Sequence, residues 1–110
     1  MIESELTALA LDLKDAAESA HFGKRDFRVR GRIFMSLPEP GMAVLKLTPD
    51  QQQMALAVAP DLFQAVTGGW GQRGWTRFRY PAADGELVRH WLAIAWGNVA
   101  PKTRRSRLDD

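Results

Sequence analysis

The stretch Phe27-Arg28-Val29-Arg30-Gly31-Arg32-Ile33-Phe34-Met35 decides the fold. Apolar and basic residues alternate on either side of a glycine, the period-two signature of two strands sharing a turn. A two-residue turn at Arg30-Gly31 would set Val29 opposite Arg32. A three-residue loop aligns Phe27 and Val29 with Ile33 and Met35 on one face, so the hydrophobic pattern favours the longer loop. A hairpin here makes the sheet antiparallel. Pro38-Glu39-Pro40-Gly41 reads as a further turn, and Met42 to Leu47 as the next strand.

Upstream, Ile2, Leu6, Leu9, Leu13 and Ala17 recur at helical spacing and predict an amphipathic first helix, stopped at His21-Phe22-Gly23. Downstream, Thr48-Pro49-Asp50-Gln51 combines a capping threonine, a proline suited to the first helical position and a glutamine that completes a capping box. That helix is expected to reach about Val58 before Pro60, with a short helical turn through Leu62, Phe63 and Val66. Trp75 to Tyr80 reads as a strand with Thr76, Phe78 and Tyr80 on one face and Trp75, Arg77 and Arg79 on the other. Asp84 caps a long last helix whose apolar stripe is Val88, Trp91, Leu92, Ala95 and Val99. The expected class is α+β, an antiparallel sheet with helices packed against it, and Trp75, Trp91, Phe34 and Leu92 belong in its core.

Into and through the last strand runs Trp70-Gly71-Gln72-Arg73-Gly74-Trp75-Thr76-Arg77-Phe78-Arg79-Tyr80, rich in glycine, tryptophan and arginine and without an acid. It reads either as a packed structural turn or as a basic, aromatic surface for a polyanion. Charge is polarised elsewhere too. Within residues 1–20, Glu3, Glu5, Asp12, Asp15 and Glu18 face only Lys14. Within 21–35, Lys24, Arg25, Arg28, Arg30 and Arg32 face only Asp26, and Lys102, Arg104, Arg105 and Arg107 make the end basic. Sequence leaves open whether these basic segments meet.

A chain of 110 residues with 45% hydrophobic and 25% charged residues suits one soluble domain. The domain is expected over 1–102, followed by a basic tail over 103–110. No apolar run approaches the roughly 20 residues that span a bilayer, and the acidic start is unlike a secretory signal, so a cytoplasmic protein is expected. Without cysteine there is no thiolate nucleophile, disulfide or thiolate metal site. No serine sits in a nucleophile elbow, His21 and His90 lie in separate elements, and no phosphate-binding loop is present. Neither an enzyme nor a cofactor or metal is expected.

The chain resembles the MmcQ/YjbR-type small bacterial proteins. The resemblance rests on Phe27-Arg28-Val29 with Gly31-Arg32-Ile33-Phe34, on Leu45-Lys46-Leu47, on Trp70-Gly71-Gln72-Arg73-Gly74-Trp75-Thr76, and on Ala95-Trp96 with Ala100-Pro101-Lys102. These blocks fall in order across about residues 18 to 102. The family's Leu-Pro after the first helix is replaced here by Glu18-Ser19-Ala20, which leaves the start of the first strand open. The resemblance implies a CyaY-like (frataxin-like) fold, similar to a double-wing DNA-binding domain. It also implies DNA binding, for which the basic segments offer Arg28, Arg30, Arg32, Arg73, Arg77, Arg79 and Lys102 as phosphate contacts. Without an obvious recognition helix, such binding is expected to be weak and largely indifferent to sequence. The alternative is a non-catalytic protein-interaction or frataxin-like adaptor module, monomeric or homodimeric, whose acidic first helix meets a cation or a basic partner.

Overall fold

The computed structural model describes residues 1–101, so Lys102 and the expected tail over 103–110 lie outside the described residues. In chain order the elements are α1 (Glu3–Leu11), β1 (Ala16–His21), β2 (Lys24–Val29), β3 (Arg32–Glu39), β4 (Met42–Lys46), α2 (Pro49–Val58), β5 (Phe63–Ala65), α3 (Gly69–Gln72), β6 (Trp75–Phe78) and α4 (Gly85–Val99). The strands form one six-stranded sheet in the order β1-β2-β3-β4-β6-β5. Every neighbouring pair is antiparallel. The architecture is the α+β class expected, with α1 and α4 against one face of the sheet.

The deciding hairpin forms, by a different route. Val29 pairs with Arg32 across a two-residue turn, and Arg30 and Gly31 both take positive φ, 51° and 82°. With both central residues at positive φ, the turn has the backbone twist that matches the right-handed twist of paired strands. The extra residue is absorbed as a bulge: Phe27 pairs with Met35 and Arg28 with Ile33, leaving Phe34 between. Phe27 therefore faces Met35, as the longer loop would have placed it. The bulge lets Phe34 and Met35, adjacent in sequence, both be fully buried.

The first helix is shorter than its periodicity suggests. It stops at Leu11, and Ala16–His21, expected within the helix and its end, is an edge strand closed onto β2 by Phe22-Gly23. The composition of Ala16-Ala17-Glu18-Ser19-Ala20 suits a helix, but pairing with β2 overrides that weak preference. The first strand thus begins at Ala16. Likewise Phe63–Ala65, expected as a helical turn, is β5, which pairs with β6 and stacks Phe63 on Phe78 with ring centroids 4.7 Å apart.

Local signals elsewhere hold. Thr48 accepts from the Gln51 N–H while Gln51 Oε1 accepts from the Thr48 N–H, the reciprocal cap expected for α2. Asp84 caps α4 by accepting from the Leu87 N–H, and the whole predicted stripe from Val88 to Val99 is buried. Leu6 and Ala10 of α1, Trp91 and Leu92 of α4, and Phe27, Met35, Leu45 and Phe78 of the sheet share that core. Along β6, Thr76 and Phe78 are buried and Trp75 and Arg77 half-buried. The alternation is as expected, but Trp75 points to the face opposite α1 and α4 and is not a core residue.

Candidate functional site

That second sheet face carries most of the chemistry. Register puts Asp26 and Arg28 of β2, Ile33 and Ser36 of β3, Val44 and Lys46 of β4, and Trp75 and Arg77 of β6 on it. Apart from Asp26, all are half-buried and reach solvent.

The expected basic residues divide into two kinds. Arg28 and Arg77 are paired. Arg28 donates to Asp26 from Nε (2.7 Å) and Nη2 (3.0 Å), and Arg77 Nη2 donates to Glu39 at 2.8 Å. The buried Nε of Arg77 has no acceptor. Arg30, Arg32, Arg73 and Arg79 are exposed and join none of the ion pairs among the described residues. The β2–β3 turn brings Arg30 and Arg32 to one end of the sheet. The pairing of Lys46 with Trp75 brings β4's last residue and Arg73 to the same end. Arg79 leaves β6 at the opposite end, beside Pro60, Asp61 and Gln64. Lys102 lies outside the described residues.

Lys46 is a member of this group that charge counting along the chain missed. Its ammonium lies 5.0 Å from the centroid of the Trp75 ring, and the Arg73 guanidinium carbon 5.6 Å from that of Trp70. The two rings meet edge to face at 6.0 Å, and Trp70 is 59% exposed. Both walls border a groove of about 240 Å³ on the open face, floored by Ile33, Val44 and Val66. His21 and Ser36 add polar groups to the same groove.

Beside it stands a buried charge. Asp26 is fully buried and accepts from Arg28 through both oxygens, and His21 Nδ1 lies 2.7 Å from its Oδ2. The Arg28 guanidinium, with His21 contributing, holds the Asp26 carboxyl below its ordinary value against the opposing effect of burial. A neutral imidazole that donates from Nδ1 to a carboxylate keeps an acceptor lone pair on Nε2. This pairing is a positioning device for His21. The spacing hid it: His21 and Asp26 come together only because Phe22-Gly23 turns β1 back onto β2.

The acids expected on one helix do not form one surface. Glu3 and Glu5 lie on α1, Asp12 and Asp15 follow it, and Glu18 is on β1. Glu3 and Glu18 converge on Arg25, at 2.9 and 2.7 Å. Among the described residues no three His, Asp or Glu side chains come together as a metal site. A larger cleft of about 710 Å³ runs between α1 and α4, past Glu5, Leu9, Asp84 and Arg89. Two of its acids serve the fold: Glu5 accepts from the Ile2 N–H and Asp84 caps α4. No helix of the described residues is long and apolar enough to cross a membrane.

A family model described as YjbR matches residues 11–98. Among solved structures the chain is similar to protein DR2400 of Deinococcus radiodurans, described as carrying a DUF419 domain. The identity is 16%, the match covers 98% of this chain and 88% of that one, and the TM-score is 0.76. At that identity the likeness speaks for the fold. No curated protein matches.

Proposed function

Since the chain belongs to the YjbR family, and that membership names no ligand, we propose from its own surface that it binds DNA weakly and with little regard to sequence. One observation carries this reading: Arg30, Arg32, Lys46 and Arg73 gather at one end of the sheet, outside every ion pair among the described residues. Cations left unneutralised and close together attract a polyanion and gain affinity by releasing its counterions. Arg28 and Arg77 each share their charge with a carboxylate, Asp26 and Glu39, and so add less to this attraction. The long helix α4 exposes Arg89 and His90 on its polar side, too few groups to read base edges along a groove.

The test is a fluorescence-anisotropy titration with unrelated duplexes at low salt. Affinity is expected to fall steeply with salt, with a slope of roughly 0.9 per phosphate contact. Replacing Arg30 and Arg32 together with alanine is expected to weaken binding and flatten that slope. No binding at tens of micromolar protein, about where non-specific DNA binders register, ends the reading. A protein-interaction module would then lead, drawing on β1, an edge strand that is exposed from Ala17 to His21.

A further inference from the structure

The groove on the open sheet face differs in kind from the basic end. Its walls are two indoles, its floor is aliphatic, and its polar groups are an imidazole and a hydroxyl. At about 240 Å³ it falls below the roughly 300–1,000 Å³ of pockets for drug-sized ligands, which leaves room for a single ring system. Trp70 offers its ring to solvent from α3, and its neighbour Trp75 lies along the same wall. A cation accompanies each ring, Arg73 with Trp70 and Lys46 with Trp75. The occupant that fits is therefore flat and aromatic, carries hydrogen-bonding groups on its edge, and has an anion attached within reach of the groove's rim.

We infer that the groove takes an unpaired nucleobase with its phosphate. The base stacks on the exposed ring of Trp70, with Trp75 standing edge to face beside it, its edge meets His21 and Ser36, and the phosphate lies toward Lys46 and Arg73. The contact of Nδ1 of the exposed His21 with the buried Asp26 orients the imidazole, which a ring that reads a ligand edge requires. Asp26 is a positioning residue here and touches nothing bound. The inference rests on the nucleic-acid reading above and sharpens it: a stacked duplex cannot offer a base face to the groove, whereas a single strand or a free nucleotide can.

The probes are a labelled oligothymidylate of about eight nucleotides, within the site sizes of small single-strand-binding folds, a duplex of the same length, and thymidine monophosphate. The wild-type chain is expected to hold the single strand more tightly than the duplex. Trp70→Ala is expected to weaken the single strand by roughly 5- to 150-fold, the worth of one stacked base, and to leave the duplex unchanged. Trp70→Phe, which keeps an aromatic face, is expected to recover most of the loss. Trp70 is exposed, so its removal does not open the core; a melting midpoint within error of wild type checks this. Thymidine monophosphate binding as tightly as the oligomer, with the same loss in Trp70→Ala, identifies a free nucleotide as the source. Tighter oligomer binding identifies the strand. A Trp70→Ala variant that binds the single strand as wild type does overturns the groove assignment, and the basic end survives if Arg30→Ala/Arg32→Ala still weakens the duplex. Failure of all three probes to bind overturns both readings.

Discussion

The side-chain amide of Gln52 donates to the hydroxyl of Thr76 at 3.1 Å, both groups buried, and this contact joins α2 to β6. The same Gln52 Nε2 reaches the carbonyls of Gly71 (3.0 Å) and Trp75 (3.1 Å), while the Thr76 hydroxyl donates to the carbonyl of Gly74 at 2.7 Å. One side chain therefore organises the whole glycine-tryptophan segment that carries Trp70 and Arg73.

Gln52→Ala removes the shared donor, while the Gly71 and Trp75 carbonyls keep the N–H groups of Gly74 and Val66, so the loss is that of the hydrogen bonds themselves, about 0.5–1.5 kcal/mol. The thermal midpoint should drop by several degrees. In a double-mutant cycle, Thr76→Val and Gln52→Ala should be less than additive because they share one network. An unchanged midpoint in Gln52→Ala would show that the segment is held by other contacts.

Two glycines in this segment are irreplaceable for reasons of space. A Cβ on Gly74 would stand 1.9 Å from the carbonyl oxygen of Leu47, and its φ of +107° already disfavours a side chain. A Cβ on Gly71 would stand 1.7 Å from the Val66 oxygen. Gly31 has a positive φ too, but open space around it. Gly74→Ala should consequently shift the urea midpoint far more than Gly31→Ala, whose strain is roughly 1–2 kcal/mol. Equal shifts would mean that the close approach of the two backbones can relax freely.

Asp26 gives the fold an acid-sensitive joint. Its carboxyl titrates below the ordinary value in the folded state, chiefly through Arg28. Its stabilising contribution is complete above the ordinary carboxylate range and is lost as pH falls through the lowered folded value. Asp26→Asn should be less stable than wild type at neutral pH, and the two stability curves should converge below about pH 4. Parallel curves across that interval would remove Asp26 from acid unfolding.

The features legible in the sequence are those whose cause is local. The Thr48–Gln51 cap and the Val88–Val99 stripe need only the residues that form them, and both appear as read. β1 and β5 were illegible because neither segment is strand-like by itself; each becomes a strand through its partner, β2 or β6. The bulge at Phe34 satisfies the sheet and the core together, which no pattern along one strand encodes. At the site, the basic residues were visible as charges. Period two along β2 puts Asp26 and Arg28 on one face, a clue to their pairing that a count of charges overlooks. The groove required the register that sets Ile33, Val44 and Trp75 across neighbouring strands, and no single segment carries that information.

The strand order also governs how the chain finds its fold. β1 to β4 form a meander joined by tight turns, so each of those ladders closes between segments adjacent in sequence. The β4–β6 ladder instead pairs Lys46 with Trp75 and must wait for α2, β5 and α3 to span the gap. Loop closure makes the meander the faster step and the seam at Gln52 and Thr76 the later one. Substitutions at Phe27 or Met35 are then expected to slow refolding, and those at Gln52 to accelerate unfolding. A chevron in which Gln52→Ala moves only the refolding limb would reverse that order.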